Sequence, residues 1–151
     1  MEIKQITDRK NAPMDLLLLA DPNRQMVEKY LVDGHCYGAN ERGSLVGVYV
    51  LIKKSSTKAE IANIAVHPDR QNEGIGRKLI EHAIAEAKSL GFELIEVGTG
   101  NSSIGQLALY QKCGFHMQSI IKDFFTNHYD EKIEENGIIC RDMIRLSKQL
   151  T

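Results

Sequence analysis

The sequence predicts an α/β chain of the α+β kind: a mixed, mostly antiparallel central sheet of about seven strands with helices on both faces. Three observations predict it. Two β-rich segments flank a short turn, Glu41-Arg42-Gly43-Ser44, suited to an antiparallel hairpin. Residues 76–90 carry an apolar stripe at helical spacing, Leu79, Ile80, Ala83, Ile84, Ala87 and Leu90. Strand and helix patterns then alternate to the end of the chain, with no repeat, low-complexity tract or linker.

Residues 2–7 alternate polar and apolar as a half-buried strand does, and Ala12-Pro13 opens a helix through Ala20. A second helix spans 23–31, started after Asp21-Pro22 and stopped by Asp33-Gly34. Strands follow at 35–40 and 45–53 around the hairpin turn, and at 58–66, where His67-Pro68 ends the ladder because proline has no N–H to donate. After the long helix, closed by Gly91, come a strand at 92–97, a helix at 103–113 and a strand at 115–121. Residues 122–137 are polar around three aromatics, and strand character resumes over 138–146.

At 151 residues the chain has the size of one domain, and a single domain spanning 1–151 is expected. Its net charge of -1, with scattered basic residues, offers nothing to nucleic acid. No apolar run approaches the ~20 residues a bilayer span needs, and the first residues have no leader pattern, so neither membrane nor export is expected and the predicted location is the cytoplasm. Cys36, Cys113 and Cys140 are odd in number and form no Cys-x-x-Cys pair, and the five histidines lack ligand spacing. The expectation is buried thiols and no metal.

The segment that carries chemistry is Val66-His67-Pro68-Asp69-Arg70-Gln71-Asn72-Glu73-Gly74-Ile75-Gly76-Arg77-Lys78-Leu79, leading from a strand into the longest helix. A helix N-terminus presents unpaired N–H groups and a partial positive charge, and Gly74 and Gly76 let an anion approach the backbone. Arg70, Arg77 and Lys78 place formal charge at the same point, which suits two linked phosphates better than one. Two other glycine-rich sites fit worse. The third glycine of a dinucleotide fingerprint is replaced by Leu79, and no Gly-Lys-Ser/Thr completes a nucleotide P-loop. A helix entry with glycines for flexibility alone is the remaining alternative.

Gln71-Asn72-Glu73-Gly74-Ile75-Gly76 resembles the signature of the GNAT superfamily of acetyltransferases: Gln or Arg, two residues, Gly, one residue, then Gly or Ala. The preceding strand Ile61-Ala62-Asn63-Ile64-Ala65-Val66 and the later Ala108-Leu109-Tyr110-Gln111-Lys112-Cys113-Gly114-Phe115 extend the resemblance over about half the chain in the right order. The tail, from Asp123-Phe124-Phe125 through Asn136-Gly137 to Asp142-Met143, is similar to that of a bacterial branch of unsettled acceptor.

The resemblance implies a splayed strand pair, the strand ending at Val66 parting from the one ending at Val97, with the pantetheine arm of acetyl-coenzyme A in the gap. It implies cofactor contacts from Ile64, Ala65 and Val66, from Gln71, Asn72, Glu73, Gly74, Ile75, Gly76, Arg77 and Lys78, and from Asn101 and Tyr110. The activity it implies is N-acetyltransfer to a primary amine by direct attack in a ternary complex, with a small-molecule or peptide acceptor. A non-catalytic acyl-coenzyme A sensor and an O-acyl or longer-chain acyltransferase are the alternatives.

An amine of pKa ~10.4 is almost wholly protonated at neutral pH, so a proton acceptor is needed. Glu60 is the candidate, acting through water, with a strand-end surface charge as the alternative; Asn63 is a second candidate for orienting that water. The departing thiolate benefits from a proton, for which Tyr110 is the candidate donor and a core aromatic the competing reading. Asn101 and Ser102 are expected near the pantetheine or the sulfur, though Ser102 equally suits a helix cap. No enzyme nucleophile is required, so Cys113 is expected to pack. Phe124, Phe125 and Tyr129, with Asp123, Asp130, Glu131, Glu134 and Glu135, either receive a cationic acceptor, form a subunit contact such as that of a homodimer, or make up an ordered surface loop.

Overall fold

Asn23 caps the second helix by accepting from the Met26 amide at 3.2 Å, which is why the chain turns at Asp21-Pro22 into two helices, α1 (Met14–Ala20) and α2 (Arg24–Asp33). The computed structural model describes residues 1–151. Strand β1 (Glu2–Ile6) precedes these helices, and β2 (His35–Glu41), β3 (Ser44–Lys53) and β4 (Lys58–Val66) follow. Arg42 and Gly43 both have positive φ, the mirror-image turn whose twist suits the β2–β3 hairpin. Next come α3 (Ile75–Ser89), β5 (Leu94–Gly100), α4 (Ile104–Lys112), β6 (His116–Ile121), α5 (Phe124–His128), the short pair β7 (Glu134–Glu135) and β8 (Ile138–Ile139), and β9 (Met143–Gln149).

The main sheet has seven strands in the order β1-β2-β3-β4-β5-β9-β6, and every pair is antiparallel except β4 with β5. Against one face α3 buries Leu79, Ile80, Ala83 and Ala87 on Tyr49, Leu51, Ile61 and Val97. Against the other, α1 and α2 bury Leu16, Leu17, Val27 and Leu31 on Val48, Val50 and Ala65. The predicted two-sided sheet is thus observed.

Three local expectations are corrected. The strands expected at 92–97 and 115–121 begin at Leu94 and His116. In each case a Gly-Phe pair belongs to the end of the preceding helix: Gly91 and Gly114 take positive φ, and Phe92 and Phe115 donate their amides back to Ala87 and Tyr110. This is the six-to-one bond of a Schellman cap, so the phenylalanine closes the helix before the strand can open. The strand expected over 138–146 is broken into β8 and β9, because the Arg141 and Asp142 amides bond to Asn101 instead of to a ladder. Finally, residues 124–128 form a helix that periodicity did not indicate.

In β4, Val50 pairs with Asn63 while Leu51 pairs with Ile61, so Ala62 is an extra residue, a β-bulge. Ala59 and Ile61 face α3, but beyond the bulge Ala65 faces α1 and α2, and Ile64 and Val66 turn to α3.

Candidate active site

The β4–β5 pairing runs from Lys58 with Leu94 to Ile61 with Val97 and then stops. Beyond it β4 stays paired only to β3 as far as Val66, and β5 only to β9 as far as Gly100. The gap between them opens into a cleft of about 1320 Å³ lined by both strands, by Gln71 and Tyr110, and on its other side by α2 and α5. The splay inferred from resemblance is present, with Ile64, Ala65 and Val66 on its β4 wall and Gln71 Nε2 3.5 Å from the Val66 carbonyl.

At the mouth of the gap, Asn72 and Gly74 take positive φ, and Gly74 caps α3 without any side-chain bond. The first backbone bond of the helix start is from the Lys78 amide to the Gly74 carbonyl at 3.2 Å, which leaves the amides of Ile75, Gly76 and Arg77 without a protein acceptor. A Cβ on Gly74 would meet nothing within 4 Å, so the space in front of these amides is open. Bare amides, open space and the positive end of a fifteen-residue helix fit a diphosphate.

The formal charge expected here is largely engaged elsewhere. Arg70 bonds Glu41 at 2.8 Å and Glu73 at 3.0 Å, and its guanidinium holds the Glu41 carboxyl below the usual carboxylate range. Arg77 pairs with Glu81 at 3.0 Å along the helix. Lys78 is the cation left over, and Glu73 turns its carboxylate to Arg70, so it offers an anion only its backbone.

Glu60 is a half-buried side chain in the cleft wall, bonded to Arg145 Nη1 at 2.6 Å and 3.7 Å from Lys54 Nζ. Arg145 also lies 4.0 Å from Glu96. The guanidinium crosses β5 at Gly98, where a Cβ would stand 2.8 Å from Nη1 and 2.6 Å from Met143 Sδ. Arg145 was not singled out from the sequence; its signal is the glycine at 98 inside β5, meaningful only once β9 is in register with β5.

Asn63 is 4% exposed and donates both amide hydrogens, to the Leu17 carbonyl at 2.9 Å and the Tyr30 hydroxyl at 2.7 Å. Its NH₂ group thus ties β4 to α1 and α2, while Oδ1, buried in the cleft wall, has no protein partner and is the atom left to hold a water. Burial raises the Tyr30 hydroxyl far above its ordinary range, the Asn63 bond opposing and the neighbouring Asp21 carboxylate adding. Tyr129 donates to Asp21 at 2.9 Å, fastening α5 to the α1–α2 connection. Tyr30, Asp21 and Tyr129 were not singled out as a group, because 108 residues separate the ends of that bond.

Tyr110 is 2% exposed, lines the cleft and meets Phe115 edge-on at 5.7 Å. Burial raises its pKa well above the ordinary tyrosine value, so its hydroxyl stays protonated across the neutral range. Asn101 Nδ2 bonds the Ile139 carbonyl at 3.1 Å and Oδ1 accepts from Arg141 and Asp142 at 2.8 and 2.9 Å, so its side chain holds the β8–β9 connection. Ser102 is wholly buried and does not cap α4. Burial raises all three thiols, Cys36 to about 11, and none is poised as a thiolate.

Phe124, Phe125 and Tyr129 line the cleft, but of the acidic residues expected beside them only Glu135 does, and it accepts from Ser103 at 3.0 Å. No group of three or more His, Cys, Asp or Glu side chains is placed to hold a metal ion, and no helix is long and apolar enough to cross a membrane.

A gap at the one parallel strand pair, with the longest helix starting beside it, is an acyl-transfer architecture, and comparison with known proteins agrees. The acetyltransferase (GNAT) family matches residues 7–115. The chain is 58% identical over 132 residues to the uncharacterized N-acetyltransferase YvbK of Bacillus subtilis strain 168, covering 87% of this chain and 85% of that protein. A Bacillus subtilis acetyltransferase solved in complex with coenzyme A superposes with a TM-score of 0.95 at 52% identity over 99% of each chain. A GNAT family acetyltransferase from Elizabethkingia anophelis with acetyl-CoA bound gives 0.95 at 44% identity over 98% of this chain and 97% of that one. The chain belongs to the GNAT family of acetyltransferases.

Proposed function

We propose that this chain, working as one cytoplasmic domain, transfers an acetyl group from acetyl-coenzyme A to a primary amine by direct attack with both substrates bound. The observation that carries the reading is the splay of β4 from β5 beside the uncapped start of α3. The thioester supplies an activated acyl group. Amides of Ile75, Gly76 and Arg77, helped by Lys78, hold the diphosphate, and the open edge of β4 at Ile64, Ala65 and Val66 aligns the arm. Amides on that edge donate to the carbonyl oxygen that gains charge, an electrostatic contribution already in place before reaction.

Glu60 accepts the proton of the amine through water, its carboxylate oriented by Arg145. Tyr110, its hydroxyl kept protonated by burial, donates a hydrogen bond to the sulfur as it leaves. No cysteine takes part, in keeping with thiols held protonated.

The test is a screen of primary amines and amino-terminal peptides, reading thiol release from acetyl-coenzyme A. An acetylated amine whose formation depends on Glu60 supports the reading. Release with alcohols alone, or only with a longer acyl donor, replaces it.

A further inference from the structure

We propose that Asp21 receives the ammonium of the acceptor as it enters the cleft, before it passes to Glu60 and the open stretch of β4 to lose its proton and react, and that the acceptor is a monoamine carried on an apolar, aromatic-compatible body. This rests on the reading of amine acetylation above and names the acceptor class of the same site.

Asp21 follows α1 and lines the half of the cleft facing α5. Its Oδ1 accepts from the Tyr129 hydroxyl at 2.9 Å and the Asn23 amide at 3.1 Å, and it makes no ion pair. Glu60, the other carboxylate of the inner cleft, already has Arg145. Asp21 is therefore the half-buried carboxylate whose charge is met only by neutral donors, and a cation entering the cleft gains most there.

Its surroundings define the rest of the ligand. The Tyr30 and Tyr129 rings stand beside it, Phe125 lies 5.7 Å from Tyr129 and Phe124 5.1 Å from Phe125, an aromatic wall suited to an ammonium and its hydrocarbon stem. From Asp21 the Tyr30 hydroxyl leads to Asn63 on the open stretch of β4, which marks the way from the point of entry to the acyl arm. A polycation finds no matching field, because four carboxylates and four cations line the cleft and cancel in net charge.

The experiment is calorimetry on the full chain saturated with coenzyme A, titrated with benzylamine, benzyl alcohol and spermidine, for the native protein and Asp21→Asn. Asparagine keeps an oxygen for both Tyr129 and Asn23, so only the charge is removed. The native protein is expected to bind benzylamine about tenfold more tightly than benzyl alcohol. Asp21→Asn is expected to erase that difference with affinity for benzyl alcohol and coenzyme A unchanged. Spermidine binding more tightly than benzylamine, or a preference for benzylamine that survives in Asp21→Asn, overturns the proposal. Because no turnover is read, the entry site stands or falls separately from the transfer reaction: a charge preference that depends on Asp21 supports the entry site even where the amine screen finds no acetylated product and the transfer reading fails.

Discussion

Glu60 and Asn63 stand on the same face of β4 although they are three positions apart, because the ladder with β3 carries Ala62 as an extra residue. Strict alternation would put them on opposite faces. The bulge instead places both toward α1 and α2, where Glu60 meets Arg145 and Asn63 meets Tyr30. It also comes one residue after the last β4–β5 pair, so the strand re-aims its side chains as it leaves its neighbour.

Glu60→Gln is the first consequence. Glutamine keeps the size and a hydrogen bond to Arg145 but accepts no proton, so kcat is expected to fall about 10²- to 10⁴-fold with little change in acetyl-coenzyme A affinity. Steady-state kinetics beside calorimetry reads both. Full activity at neutral pH would remove Glu60 from proton transfer.

Gly74→Glu addresses the diphosphate site. The side chain enters the open space before the bare amides, bringing a carboxylate to an anion site and a Cβ to a residue at φ +83°. Coenzyme A affinity is expected to fall at least about tenfold, with a backbone cost of about 1 kcal/mol in thermal stability. Undiminished affinity would place the phosphates elsewhere.

Tyr110→Phe separates binding from chemistry. The ring packs on Phe115, and phenylalanine preserves that contact. Turnover is expected to drop about tenfold or more while the dissociation constant of acetyl-coenzyme A stays within about twofold. Equal turnover would make the tyrosine a packing residue.

What was legible in the sequence follows from how local each signal is. The α3 stripe, the proline that ends β4 and the Gln71 to Gly76 turn act within a few residues, and the structure keeps them in place. The two Gly-Phe helix caps were also local signals, but the apolar Phe92 and Phe115 read as first strand residues. Arg145 and Asp21 could not be read at all, since their partners depend on the β5–β9 register and on α5 folding back across the cleft. Helix α5 has five residues, too short to be stable alone, and is held by bonds such as Phe125 to the Arg141 carbonyl and Tyr129 to Asp21. The charges at the phosphate loop were legible as residues but not as free charges, because Glu41, 29 residues from Arg70, neutralises it.

Alkaline pH provides a fold-wide prediction. All five tyrosines have raised pKa values, burial being the first cause in each, with Tyr37 at about 12. The unfolded chain begins to lose these protons near the ordinary value of ~10 while the folded chain keeps them, so above that pH the folded state binds more protons. Stability is therefore whole below about pH 10 and falls as pH rises toward the folded values. Tyrosinate absorbance is expected to appear together with loss of the helical signal; tyrosinate forming near pH ~10 in an intact fold would contradict the burial.

Asn101→Ala decides between the role resemblance implied and the one its bonds describe. The side chain accepts from two backbone amides and donates to one carbonyl, all across the break between β8 and β9. Alanine leaves the Arg141 and Asp142 amides without that acceptor, and Asp142 in turn holds the Asp123 amide at 2.9 Å where α5 begins. The expected result is a loss of about 1 to 3 kcal/mol in stability with coenzyme A affinity nearly unchanged. The acceptor should weaken more than the cofactor, because the segment that loosens carries Phe124 and Phe125 into the cleft. Unfolding by denaturant, with calorimetry on coenzyme A, separates the two roles: unaltered stability together with a tenfold loss of cofactor affinity would return Asn101 to the cofactor site.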